Sequence, residues 1–332
     1  MIRIGIVATS SVVPKIEFNL GVEHLKANGF EVEVHSTVLE QDGFYPATDE
    51  LRARAFLDFA FRDDLQALWC ARGGYGATHL LPFLEKASRK KKPKKKLLLG
   101  YSDATALMEF ARTRWGWKTI HAPMPSLRTF SILPAAEWSQ LLNLIDYEVL
   151  KKPLKPTKFK LEPIFIPKGF KKAEAPVVGG NLFVWNSLLG TPYVGKASGK
   201  ILVLEEIGEN MGRVNRMLHH LEQAGGFKGA KALVLGDFTD CNDTVAQTIQ
   251  RLPGAGEVGD SFLKSPPASV MAPIRQVMPP QDALTYVFRA LGERNQLPVF
   301  KGLPIGHGDQ HFSVDLGRSH ILRVDGTFIQ IE

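Results

Sequence analysis

A chain of 332 residues is about twice the usual domain size, so one large or two modest domains are expected, each able to bury its own core. Its 44% hydrophobic and 23% charged residues, with 30 glycines and 21 prolines, sit near the globular average and exclude a disordered or fibrous chain. The net charge of +7 is concentrated: the run from Arg89 to Lys96 and the segment 151–172 each carry +7, leaving the remainder at −7.

Neither basic segment interleaves the aromatics that stack on single-stranded bases, so both read as solvated lysine-rich loops, and no nucleic-acid partner is predicted. The chain has two cysteines, Cys70 and Cys241, too far apart in sequence for a disulfide framework or a CxxC knuckle. A reducing compartment is expected. The start, MIRIGIVATSS, lacks the basic region and long apolar stretch of a signal peptide, which predicts a cytoplasmic protein. No run approaches the ~20 apolar residues of a spanning helix, so no membrane partner is predicted.

Along the chain, short β-rich runs alternate with helical patterns. IRIGIVAT (2–9), EVEVHSTVL (31–39), ALWCARG (67–73), LLLGYS (97–102) and KTIHAP (118–123) read as strands. Between them lie a helical pattern stopped by Gly29, a second over 48–61 capped by Thr48, and a third in DATALMEFARTRWG. Such alternation predicts a mostly parallel, Rossmann-like sheet over residues 1–150. The segment 151–172, with four prolines and eight lysines, reads as a linker or extended crossover. Residues 173–332 are expected to form a β-rich α/β domain. In it, GKILVLEEIGE, a helix from Met211 and KALVLGDF make a βαβ-like unit; 240–281 is a long irregular insertion, and HFSVDLG, SHILRVDG and TFIQIE read as hairpins.

In an open α/β sheet, ligands bind beyond the carboxyl ends of strands, so polar residues where apolar runs stop are the candidates. Four places qualify. ARGGYG places Gly73 and Gly74 in a strand-to-helix turn whose backbone amides can approach a ligand, although an ordinary turn reads the same way. GYSDATAL puts Ser102 on a sharp corner, with the Asp103 amide at a helix start ready for an oxyanion; an N-cap serine is the bland alternative. In ILVLEE, strand alternation places Ile201, Val203 and Glu205 on one face and Leu202, Leu204 and Glu206 on the other. A carboxylate there is costly unless paired, so one acid is functional or both lie at the rim. PIGHGD flanks His307 with two glycines, which reads as an accessible ring or a surface-loop histidine. The other eight histidines read as surface or packing residues.

Ser102, Glu205 and His307 together supply a nucleophile, an orienting carboxylate and a base, in one of the chain orders a serine triad takes. They would bring the site to the junction of the two domains. No HExxH or clustered Cys/His pattern suggests a metal, and no cofactor is predicted.

ARGGYGATHLLPFLE, GYSDATAL, VVGGNLFVWNSLLGTPY, ILVLEEIGENMGRVNRMLHHL and LPIGHG, in that order, resemble the LD-carboxypeptidases, or muramoyltetrapeptide carboxypeptidases, a family that includes the microcin C self-immunity peptidases. The resemblance implies a serine peptidase with Ser102 as nucleophile, Glu205 as orienting acid and His307 as base, and with oxyanion donors at Asp103 and in the Gly73–Gly74 turn, Gly74 foremost. It implies release of D-alanine from a peptidoglycan tetrapeptide, a small peptide partner, after diaminopimelate or lysine. Arg213 or Arg216 is the candidate for the substrate's terminal carboxylate. Glu206 stands where relatives often have Asp, and MGRVNR where many have a YRIDR-like run. A peptidyl or aminoacyl nucleotide substrate and a non-catalytic muropeptide-binding protein are the competing expectations, and a homodimer is compatible with all three.

Overall fold

Four of the five apolar runs before residue 122 are only four or five residues long, and most of their side chains are buried, which suits strands covered on both faces. In the computed structural model, which describes residues 1–241 and 280–331, they are β1 (Ile2–Val7), β2 (Phe30–Val34), β3 (Ala67–Cys70), β4 (Leu97–Gly100) and β5 (Lys118–His121). All pair in parallel, in the order β2-β1-β3-β4-β5. Helices α1 (Lys15–Ala27), α2 (Asp49–Ala60), α3 (Ala77–Ser88) and α4 (Thr105–Phe110) fill the crossovers. Thr48 caps α2 by accepting from Leu51 N–H, and Gly29, at φ +86°, follows the end of α1. The strand expected over 31–39 stops at Val34, because His35 Nδ1 accepts from Thr37 N–H and starts a 3₁₀ turn. Helix α5 (Ala135–Ile145) has no counterpart among the elements expected from the sequence.

The second sheet has eight strands. Its centre is parallel: β8 (Lys172–Asn181), β9 (Ile201–Ile207), β10 (Ala232–Thr239) and β11 (Val299–Lys301). The 151–172 segment is extended, as expected, and supplies both edges: β6 (Lys158–Lys160) pairs with β14 (Thr327–Gln330), and β7 (Glu162–Phe165) with β11. The hairpin of β13 (Ser319–Arg323) and β14 forms. HFSVDLG does not join it. Its strand β12 (Val314–Leu316) runs antiparallel to β5 at the edge of the first sheet, where all three of its residues are buried.

The alternation read from ILVLEE divides the core. Ile201 and Val203 pack with the first sheet's apolar residues, whereas Leu202 and Leu204 pack under α6 (Leu182–Ser187), α7 (Met211–Gln223) and α8 (Pro280–Asn295). Glu205 therefore faces the first sheet, and Glu206 faces the helices.

The lysine run before β4 is not wholly a solvated loop. Lys96 is 6% exposed, and its ammonium donates to the Leu65 carbonyl at 2.9 Å, tying β4 to the turn before β3. No helix among the described residues is long and apolar enough to cross a membrane. The expected insertion at 240–281 lies almost entirely outside the described residues.

Candidate active site

The elbow after β4 is built by crowding. A Cβ on Gly100 would stand 2.9 Å from that of Ala104, so only glycine lets the chain turn this tightly. Ser102 then adopts φ +58°, a left-handed conformation that costs a non-glycine residue about 1–3 kcal/mol and is retained where the surroundings over-determine it. It opens a 3₁₀ turn, Ser102–Ala104, leading into α4, and the first amides of such a turn have no helical partner. The Asp103 amide is one of them. The Asp103 carboxylate is engaged elsewhere. Buried, it accepts from Ala77 N–H at 2.8 Å and pins the start of α3 to the elbow. Burial raises its pKa against that hydrogen bond.

The Gly73–Gly76 turn lies against the elbow. A Cβ on Gly73 would meet Ser102 Cβ at 2.9 Å and Oγ at 3.0 Å. Gly74 is left-handed, at φ +105°, and presses on Ser11, whose hydroxyl accepts from Tyr75 N–H at 3.1 Å. Among the described hydrogen bonds, the Gly73 and Gly74 amides have no acceptor. Cys70, beside the elbow, is a poor nucleophile, since burial pushes its thiol up to about 12.

Across the seam, Glu205 is wholly buried at the end of β9 and accepts from His307 Nδ1 at 2.8 Å. Burial would raise this carboxyl, but the imidazoles of His121 and His307 hold it down to about 2. His307 is raised: burial works against its charge, and the hydrogen bond and charge of Glu205, backed by Glu206 and Asp237, outweigh it. The His307 side chain is only 14% exposed. Its flanking glycines serve close approach more than accessibility: a Cβ on Gly306 would lie 2.8 Å from Glu205 Oε2, and one on Gly308 2.3 Å from Asp237 Oδ2. The loop is latched onto α5, where Glu137 accepts from His311 N–H and Gln140 exchanges two hydrogen bonds with Ser313.

The structure thus gathers Asp103, Gly73, Gly74 and Ser102 on one side, and Glu205 and His307 on the other. Tyr101, next to Ser102, spans them with its ring centroid 4.9 Å from that of His307. The described hydrogen bonds do not include one between Ser102 Oγ and the imidazole; catalytic hydrogen bonds commonly tighten only around substrate. Neither acid of the LEE run lies at the rim. Glu206 is 3% exposed and accepts from Asn181 Nδ2, Phe183 N–H and Ile207 N–H, capping α6 from the helix side of the sheet.

Arg213 is exposed on α7, paired with Glu209 at 3.4 Å. With Phe183, Asn186, Arg216, Met217 and His220 it lines a groove of about 410 Å³ that shares no residue with the cluster around Glu205. Two residues that sequence reasoning passed over stand in that cluster. His121, taken for a surface or packing residue, ends β5 with Nε2 3.7 Å from Glu205 Oε1. Asp237 accepts from Gly308 N–H at 3.2 Å and is raised to about 6, chiefly by burial and by the charge of Glu205.

Residues 4–122 match the LD-carboxypeptidase N-terminal domain, and residues 174–322 the LD-carboxypeptidase C-terminal domain. The chain belongs to the LD-carboxypeptidase family. The fold agrees: the muramoyltetrapeptide carboxypeptidase of Oxalobacter formigenes superposes with a TM-score of 0.74 at 26% identity, covering 99% of this chain and 97% of that one. A murein tetrapeptide carboxypeptidase of Pseudomonas aeruginosa is 26% identical over 96% of this chain and 92% of its own length. A putative carboxypeptidase of Rickettsia conorii is 34% identical over 64% of this chain and 66% of its own length.

Proposed function

We propose that this LD-carboxypeptidase family member is a serine peptidase that removes the terminal D-alanine from peptidoglycan tetrapeptides. The observation that carries the reading is a fully buried carboxylate, Glu205, holding Nδ1 of His307 at 2.8 Å across from a serine strained to φ +58°. That bond fixes the neutral tautomer with its proton on Nδ1, leaving Nε2 to accept a proton from Ser102. The alkoxide attacks the scissile carbonyl, and the amides of Asp103 and of the Gly73–Gly74 turn, Gly74 foremost, hold the oxyanion. His307, now an imidazolium stabilised by Glu205, protonates the leaving amine of D-alanine. Water, deprotonated by the same imidazole, then attacks the acyl-enzyme ester and frees the serine.

The substrate class is supported by the relatives' names. The two unpaired cysteines, both buried, fit a reducing compartment, and we place the reaction in the cytoplasm, on fragments released by wall turnover. Incubating purified protein with a muropeptide tetrapeptide and weighing the products tests the assignment. Loss of one D-alanine is expected from the wild type and none from Ser102→Ala; turnover by that variant would remove Ser102 from the chemistry. An intact tetrapeptide alongside cleavage of an aminoacyl-sulfamoyl adenosine would keep the triad and change the substrate.

A further inference from the structure

The Glu205 carboxylate spends one oxygen on His307 and leaves the other unused. Oε1 has no hydrogen-bond partner among the described residues, although the side chain is wholly buried. Facing it at 3.7 Å is Nε2 of His121, also buried and also without a partner. An orphan acceptor and an orphan donor, each enclosed and aimed at the other, are within a small shift of a hydrogen bond, and burial makes leaving both unpaired costly. His121 is well placed for this role. Its backbone pairs with Gly100, two residues before Ser102, and with Val314 of β12, and its ring lies edge-on to Tyr101 at 5.6 Å. The strand end that sets the nucleophile therefore also sets this imidazole.

We propose that His121 is a positioning residue, the second donor to Glu205, which locks the carboxylate so that Oε2 is presented to His307 and so ties the serine-bearing sheet to the base-bearing sheet. The inference rests on the triad reading above. With two imidazole donors the charge of Glu205 is shared; without His121 it leans wholly on His307, which then keeps its proton to higher pH. The other charged and titratable groups that act on this pair are Asp237 on β10, Tyr101 at the elbow, Asp309 and His311 on the histidine loop and, through the sheet from the opposite face of β9, Glu206, all unaltered by a change at position 121.

The test is the pH profile of kcat/KM for D-alanine release by the full chain and three variants. His121→Phe keeps a ring against Tyr101 but has no donor: kcat should fall about 100-fold, the cost typical of a misplacement near 1 Å, and the acid limb should move to higher pH. His121→Gln, whose amide N–H occupies the place of Nε2, should recover most of the rate and the original limb. His121→Asn, too short to reach, should resemble the Phe variant and provides the donor loss with a smaller polar side chain. An acid limb unmoved in the Phe and Asn variants, or a Gln variant no better than either, overturns the proposal and leaves His121 a packing residue. Glu205→Gln, run alongside, separates the two levels: wild-type turnover there sinks the triad itself, whereas an inactive Glu205→Gln beside an unaffected His121→Phe sinks only the role of His121.

Discussion

Gly73→Ala adds a single carbon beside Ser102, the proposed nucleophile. The Gly73 backbone is not in the left-handed region, so alanine meets no conformational objection, only a spatial one. Its Cβ would stand 2.9 Å from Ser102 Cβ, 3.0 Å from Ser102 Oγ and 3.2 Å from Met124 Cε. Carbon–carbon contacts relax at about 3.5–4.0 Å, so roughly 0.6–1.1 Å must be found. The methionine methyl can swing aside. Ser102 can move only by distorting a corner already held by Gly100 against Ala104, so the displacement falls on the nucleophile. A shift near 1 Å costs about 100-fold in rate, while overpacking costs about 1–3 kcal/mol, within the stability of an ordinary domain. Steady-state release of D-alanine, with thermal unfolding in parallel, should show kcat down about 100-fold in a folded protein. Gly29→Ala, in open space at φ +86°, should lose about 1 kcal/mol of stability and no activity. A Gly73→Ala enzyme within twofold of wild type would refute the crowding argument.

Ser102→Gly should be inactive yet melt at or slightly above the wild type, because it relieves the φ +58° strain; a clear loss of stability would mean that the serine side chain holds the elbow. The acid limb of kcat/KM should lie above 6.5, since the proposed base is neutral His307 and its pKa is raised above that ordinary value; Glu205, held down to about 2, sets no limb in this range. Asp237→Asn should move that limb to lower pH, because a negative charge that helps His307 keep its proton is gone while the amide oxygen can still accept from Gly308. The folded Asp237 carboxyl, at about 6 against an ordinary 3.8, binds its proton more tightly than the unfolded chain does, so its contribution to stability is present below 3.8 and lost as pH rises through 6. The Asn variant should therefore gain in melting temperature over the wild type at pH 8 and not at pH 3.5; equal differences at the two pH values would count against this.

Strand alternation alone separated Glu205 from Glu206, because a period of two decides which sheet face a side chain meets, and each face has its own partner layer. The same logic of apolar runs ending in polar residues found Ser102, the Gly73–Gly74 turn and His307. It applied equally to His121 at the end of KTIH and to Asp237 at the end of ALVLG, yet both were passed over. Their partners, Glu205 and Gly308, lie 84 and 71 residues away, so nothing local marks them. The glycines around His307 were visible, but their reason was not: they make room for Glu205 and Asp237, which only the folded chain brings near. β12 looked like half of a hairpin because alternation reveals a strand and not its neighbour, and the edge of β5 was free to take it.

Serine labelling tests the central claim most directly. Treated with a fluorophosphonate and mapped by peptide mass spectrometry, the wild type should carry one adduct, on Ser102, formed far more slowly in His307→Ala and absent from Ser102→Ala. An adduct on another residue, or equal labelling of all three proteins, would contradict the proton relay assigned to Ser102, His307 and Glu205.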